Sequence, residues 1–226
     1  MPESLLLAID TCGPTGSVAL GRFDGQAVLV IGQVELEGRN YSSTLVAAVG
    51  ELLAQANIAL RDVNALVAVN GPGSFTGVRV GLSAVKGLAE AARIPVVVVS
   101  RLEVLAAAAG VAAAALDAHR HEIYLRVEEA DGQGWELLTG ADELAQLTPP
   151  RRIALCDEAA ALLLASAWPA TELVRVAPPT AADALQFCAA RVVAGEFTDL
   201  ALLDGHYLRK SDAEIFGKPV AAWVRS

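Results

Sequence analysis

The sequence predicts an α/β chain built from two related halves, each made of strands flanked by helices. Three observations predict it. Short continuous apolar runs alternate with segments of helical period. A glycine-rich stretch, Gly71-Pro-Gly-Ser-Phe-Thr-Gly77, stands between one such run and a helix. The opening unit, an apolar run ending in aspartate, then a polar turn and a second strand, occurs at Asp10 and again at Asp117. Two copies are too few for a solenoid and fit a duplicated domain with a degenerate second copy.

Leu5 to Ile9 is an apolar run of buried-strand type, and Thr11 to Gly16 is a turn. Ser17–Leu20 and Ala27–Val34 follow as strands, so the chain opens as an antiparallel meander. From Ser42 the period becomes helical, with Leu45, Val46, Val49, Leu52 and Leu53 on one side, Ser42 or Ser43 as the cap, and an end near Asn57. Ala65–Val69 is a buried strand, the glycine-rich loop leads into a helix to about Ala92, and Pro95–Val99 is a further strand. A helix over Leu102–Ala109 precedes the second copy: strand Ala112–Leu116, turn Ala118–His121, strand Ile123–Val127. Beyond a turn at Asp131–Gly134 the pattern gives a strand at Ile153–Cys156, a helix to Ala167, and a helix over Ala181–Ala194 stopped by Gly195.

Composition narrows the function classes. The 226 residues are 54% hydrophobic and 19% charged, which excludes intrinsic disorder. The net charge of −9 is spread over both halves, so neither offers the basic patch that neutralises phosphates. If the protein serves nucleic acid, another chain makes most of the contact. Cys12, Cys156 and Cys188 are far apart and form no C-x-x-C pair, which suits a reducing compartment. The first ten residues lack a basic start and their apolar run is cut by Asp10, so no signal peptide is expected. No apolar run is long enough to span a bilayer, and the expected location is cytoplasmic.

The loop Gly71, Gly73, Ser74, Thr76, Gly77 could turn backbone N–H groups toward an anion or nucleotide at a helix N-terminus, or be a tight structural turn. It lacks the Lys-Ser/Thr of a P-loop, the third glycine of a dinucleotide fingerprint and the flanking glycines of a nucleophile elbow. The following helix carries Gly77, Gly81 and Gly87 in its body, each costing about 1 kcal/mol relative to alanine. Close approach of another backbone would offset that cost. That backbone could be the chain's own sheet or a helix of another chain; the small chain and a helix apolar on most sides favour a subunit interface. The interface is expected at Leu45, Val49 and Leu52 of the first helix and Gly77, Val78, Gly81, Ala84, Val85 and Leu88 of the second.

Little points to chemistry. His119 and His121 could share a strand face, but no H-x-x-x-H or H-E-x-x-H spacing supplies a metal set. Asp10 and Asp117 could flank a cleft, as carboxylates that hold Mg²⁺ in phosphotransferases do. Their alternative role is to end strands by accepting N–H bonds from the turns that follow.

Leu6–Thr11 with Ser17–Leu20, Asn70-Gly-Pro-Gly-Ser-Phe-Thr-Gly-Val-Arg-Val-Gly81, Leu116–Ala118 with Glu122–Tyr124, and the tail Tyr207-Leu-Arg209 with Asp212–Glu214 resemble the TsaB (YeaZ) family. The resemblance implies an actin-like ATPase fold (ASKHA, ribonuclease H-like) of two lobes with mixed sheets. It divides the chain into an N-terminal lobe, 1–100, carrying the loop and interface helices, and a degenerate C-terminal lobe, 101–226. It implies a part in making threonylcarbamoyladenosine on tRNA, as a non-catalytic paralogue that binds and supports TsaD together with the ATPase TsaE. On that reading Asp10 and Asp117 flank a vestigial cleft. There are no catalytic or metal-binding residues, any nucleotide is weak or interfacial, and tRNA is met only within the complex. The isolated chain is then a monomer or a homodimer through the surface meant for TsaD. Where the family has a histidine in an R-x-H-S-like segment, this chain has Tyr41. The rival readings are an active actin-fold ATPase or kinase, and a peptidase.

Overall fold

A computed structural model describes residues 3–37, 40–128 and 134–209. The apolar runs become strands because each is buried on both faces of a sheet. In the first sheet β1 (Ser4–Asp10) pairs antiparallel with β2 (Thr15–Phe23), which pairs antiparallel with β3 (Val28–Glu37). On its other side β1 runs parallel to β4 (Ala65–Val69), and β4 to β5 (Val96–Val99), giving the order β3-β2-β1-β4-β5. Leu6, Leu7, Ala8, Leu66 and Val67 are wholly buried there.

The second sheet repeats this connectivity. β6 (Ala113–Asp117) pairs antiparallel with β7 (Glu122–Glu128) and β7 with β8 (Gly134–Gly140). β6 runs parallel to β9 (Arg152–Leu155), and β9 to β10 (Glu172–Arg175). The duplication read from Asp10 and Asp117 therefore extends to all five strands of each sheet. Alternate residues of β6 face opposite cores, as strand geometry dictates. Ala113 and Ala115 pack with Ile153 and Leu164, whereas Ala114 and Leu116 pack with Leu102 and Leu105.

Three helices clothe the first sheet. α1 (Tyr41–Gln55) and α2 (Phe75–Ala92) pack on each other and on one face. Leu52 of α1 reaches Gly32, the cross-strand partner of Leu20. α3 (Arg101–Ala109) starts from a reciprocal cap between Ser100 and Glu103 and packs against β6, β7 and β9. α4 (Ala141–Leu144) and α5 (Glu158–Ala167) cover the second sheet. α6 (Ala181–Val193), late in the chain, returns to the first sheet. Its N-terminal Ala181 N–H donates to Ser17 Oγ at 2.8 Å, and its Leu185 lies against Gly21, on the face opposite α1. Among the described residues no helix is long and apolar enough to cross a membrane.

Some expectations shift. The cap of α1 is Asn40, whose side chain makes no capping bond; Ser43 and Thr44 sit inside the first turn and donate to the Asn40 carbonyl at 3.0 and 2.9 Å. β8, α4 and β10 were not expected. The turn expected at Asp131–Gly134 lies, but for Gly134, outside the described residues, as does Asp212–Glu214. A division at residue 100 separates the strands of the two sheets, while α6 lies with the first of them.

The glycines of α2 find their partner inside the chain. A Cβ at Gly77 would strike the carbonyl oxygen of Thr11, and one at Gly81 would strike Thr11 Oγ1. Thr11 Oγ1 donates to the Gly77 carbonyl at 2.7 Å, so the β1–β2 turn is bonded onto the helix. Leu45, Val49, Leu52, Gly77, Val78, Gly81 and Val85 are buried in the chain's own core, against the expectation that they form a partner surface. The close approach is the one the small residues called for, but the backbone that makes it belongs to this chain. Ala84 and Leu88 are half-buried.

Gly87 is exposed and has nothing within 4 Å of a Cβ. Gly81→Ala is therefore expected to lower the unfolding free energy by about 1–3 kcal/mol through overpacking. Gly87→Ala is expected to raise it by about 1 kcal/mol through helix propensity. Urea denaturation of the two variants beside the parent chain checks both signs.

Candidate functional site

The two duplicated aspartates end their strands in the same local structure. Asp10 Oδ1 accepts from Cys12 N–H at 2.8 Å, and Asp117 Oδ1 accepts from His119 N–H at 2.8 Å. Each is an Asx turn, in which a short carboxylate satisfies the N–H two residues on. Beyond that bond the two diverge.

Asp10 is 2% exposed. Its Oδ2 lies 3.4 Å from Arg101 Nε, and that guanidinium is itself buried. Burial, the largest single influence, works against the charge on Arg101, but Asp10 together with Cys12 and Cys156 more than offsets it, and the arginine pKa is raised. Arg101 Nε has no well-aligned hydrogen-bond acceptor, so the pair is held by charge more than by a directed bond. The Arg101 backbone N–H donates to the Gly71 carbonyl at 2.6 Å, which fixes the start of α3 to the glycine-rich loop. Tyr41 is also buried here; its hydroxyl donates to the Gly13 carbonyl at 2.9 Å. Burial, with the charge of Asp10, pushes the Tyr41 hydroxyl up to about 12. Cys12 donates to the Val69 carbonyl, and burial pushes its thiol well up, leaving it protonated and inert.

Asp117 is more open. Its Oδ2 lies 3.0 Å from His119 Nδ1, and its backbone N–H donates to Asp157 Oδ2, the carboxylate that caps α5. His119, Arg120 and His121 all have φ near +60°, so the two histidines stand in a left-handed turn and not on a strand face. Among the described residues no group of three His, Cys, Asp or Glu side chains could hold a metal ion.

The glycine-rich loop is tied into the chain. Gly73, at φ +156°, lies against the Cys12 carbonyl, where a side chain would not fit. Ser74 N–H donates to the Cys12 carbonyl at 2.7 Å, and Ser74 Oγ caps α2 by accepting from Gly77 N–H at 3.2 Å. Two of the N–H groups that an anion would use are thus already bonded; Thr76 is exposed. A cleft of about 660 Å³ opens beside the loop, between Ser74, Phe75 and Val78 on one side and Ala118, His119 and Tyr124 on the other.

A segment that the sequence left irregular lines this cleft. His206 N–H donates to the Asn70 carbonyl at 2.8 Å, and its Nε2 lies 2.9 Å from Glu136 Oε2. Tyr207 stacks on Phe75, and Arg209 reaches Glu122 and the Ala118 carbonyl. No periodic signal could have revealed it, because its contacts are single bonds to strands and loops of both halves.

On the outer side of α1 and α2 a groove of about 440 Å³ is lined by Val46, Arg79, Val80, Ser83 and Ala84, with the edges of Tyr41 and Leu45. Val46 is 60% exposed. Most of the residues that the sequence analysis chose on these two helices point inward, away from this groove.

Comparison with known proteins agrees with this geometry. The family model described as "TsaD: tRNA N6-adenosine threonylcarbamoyltransferase" matches residues 34–142. The chain is 38% identical over 130 residues to the tRNA threonylcarbamoyladenosine biosynthesis protein TsaB of Haemophilus influenzae, covering 55% of this chain and 53% of that one. It is 33% identical over 156 residues to TsaB of Bacillus subtilis, covering 67% and 63%. The solved structure of YeaZ from Pseudomonas aeruginosa superimposes with a TM-score of 0.71 at 27% identity, over 91% of this chain and all of that one. These matches support assignment to the TsaB (YeaZ) family. The chain's two mixed sheets with flanking helices are the actin-like two-lobe fold that the resemblance implied. Sequence matching spans between half and two thirds of the length of those TsaB proteins, whereas the YeaZ structure is spanned throughout.

Two outcomes follow from the electrostatics. Arg101→Leu leaves Asp10 buried without its counter-charge and is expected to cost about 3–5 kcal/mol of stability. Adding Asp10→Asn, which keeps the acceptor for Cys12, should restore a large part of that loss; chemical denaturation of the single and double variants checks it. His206 is surrounded by Glu136, Glu103 and Arg126, and its pKa is raised above 6.5 chiefly by the bond to Glu136. A raised histidine stabilises the fold fully below 6.5, and that contribution disappears as the pH rises through the higher folded value. Melting temperatures between pH 5.5 and 9 should fall with pH more in the parent chain than in His206→Gln.

Proposed function

We propose that this chain is a non-catalytic subunit in the biosynthesis of threonylcarbamoyladenosine on tRNA, which binds and supports a TsaD-type catalytic subunit and works together with TsaE. The family and the TsaB names of its relatives support the pathway. The observation that carries the non-catalytic part is the setting of Asp10. A phosphoryl-transfer site needs carboxylates open to Mg²⁺ and phosphate. Here the Asp10 carboxylate faces the Arg101 guanidinium in the interior, beneath a turn that α2 closes. Asp117 is engaged with His119.

The partner surface proposed is the outer groove between α1 and α2. It combines exposed apolar area at Val46 with small residues, Ser83 and Ala84, that let a helix approach. It adjoins the two helices named by the sequence reading and uses their outward positions. The acidic chain offers no basic face to tRNA, so tRNA contact falls to the assembled complex.

The test is reconstitution with a TsaD subunit and TsaE. The chain alone, given threonylcarbamoyl-adenylate and tRNA, is expected to transfer nothing, and calorimetry is expected to find no Mg-ATP binding at millimolar nucleotide. Val46→Glu places a charge in the groove without touching the core. It is expected to weaken association with TsaD at least tenfold at unchanged melting temperature. Transfer by the chain alone, or tight Mg-ATP binding, overturns the non-catalytic reading.

A further inference from the structure

Arg79 is the one charged side chain lining the groove, and among the described residues it has no carboxylate within ion-pair reach. It is held instead by aromatic faces. Its guanidinium carbon lies 3.8 Å from the centroid of the Phe75 ring, one turn back along α2, and 5.8 Å from that of Tyr207. The Phe75 and Tyr207 rings stack at 4.7 Å with a 45° tilt. A guanidinium over an aromatic face keeps its charge while losing conformational freedom. It is thus poised for a carboxylate without paying the ordering cost at binding.

Tyr207 does not hold its place alone. It belongs to the segment 203–209, which is bound at both ends. Leu203 is 3% exposed in the first core. His206 bonds the Asn70 carbonyl and Glu136, and Arg209 bonds Glu122 and the Ala118 carbonyl. The segment thus crosses from the first sheet's loop to the second sheet, and its Tyr207 ring lies beside Arg79.

We infer that segment 203–209 is a strap that positions Arg79 through the Tyr207–Phe75 stack, so that the groove presents an ordered cation to a carboxylate on the partner's helix. This rests on the reading that the groove is the TsaD-binding surface. Tyr207 and Phe75 are positioning residues that act through Arg79, and Arg79 makes the contact. The same strap bonds both sheets, so the relation between the halves is felt at the partner surface.

The experiment is a double-mutant cycle on the full chain, reading affinity for the TsaD subunit by calorimetry. Tyr207→Leu is expected to weaken binding about five- to tenfold, and Tyr207→Phe, which keeps the ring, to stay within about twofold of the parent. In an Arg79→Ala background, Tyr207→Leu should have no further effect, which a merely structural role would not produce. The Arg79 Nε–H resonance gives a readout that needs no partner: ring currents shift it upfield in the parent and in Tyr207→Phe, and Tyr207→Leu should move it downfield. Phe75→Leu leaves every tether of the strap in place and is the second variant if Tyr207→Leu does not fold. Parent-like affinity of Tyr207→Leu, or an equal loss with and without Arg79, overturns the strap inference. Val46→Glu separates the two readings. If it abolishes binding while Tyr207→Leu does not change it, the strap alone is wrong. If it binds as the parent does, the groove reading fails and the strap inference with it.

Discussion

The structure depends on how closely α2 can approach the turn between β1 and β2. Gly77 and Gly73 leave room for the backbone of Thr11 and Cys12 and Gly81 for the Thr11 side chain, and the Thr11 hydroxyl and Ser74 N–H bond across the contact. Larger side chains would push the helix off the sheet by the width of a methyl group or more, and interiors do not absorb that without strain. From this contact the surrounding parts follow. The turn sits low enough for Tyr41 to bond Gly13 and for Arg101 to reach Asp10, and the Gly71 carbonyl receives the first N–H of α3.

The two halves show what duplication preserves and what it lets go. Strand order, pairing sense and the Asx turn after the central strand are common to both. These are backbone features, enforced by hydrogen-bond completeness inside a sheet. The carboxylates are free to differ, because the Asx turn uses one oxygen and leaves the other to its surroundings. At Asp10 those surroundings are a buried arginine; at Asp117 they are an exposed histidine. An ion pair as deep as the first is costly to break and adds little as a pair, so its value lies in fixing one arrangement of turn, loop and helix start.

The outward side of α1 and α2 follows from the inward one. Once Leu45, Val49, Val78 and Val85 are committed to the core, the positions between them on the helical wheel, Val46, Arg79, Val80 and Ser83, must line the outer groove. The strap reaches the same place from the other end of the chain. A short segment can do this because each of its bonds is made to an element already held by a sheet.

Much of the architecture was legible in the sequence. Strands buried on both faces read as unbroken apolar runs, so β1, β4, β5 and β6 were placed within a residue or two, as were α2, α3 and α6, the last with its glycine stop. β8 and β10 were not legible: β8 is half-buried with Trp135 and Glu136 in mixed order, and β10 has four residues at a sheet edge, so neither shows a period. The loop's constraint to glycine and the demand of α2 for a close neighbour were also local, because both express the space around a single backbone. What the sequence by itself could not decide was which backbone comes close, which oxygen of Asp10 meets a cation, and that Tyr207 lies beside Phe75. Those contacts join residues 66, 91 and 132 positions apart. Their geometry exists only after both sheets have formed, since periodicity reports which face of an element is buried and says nothing of what buries it.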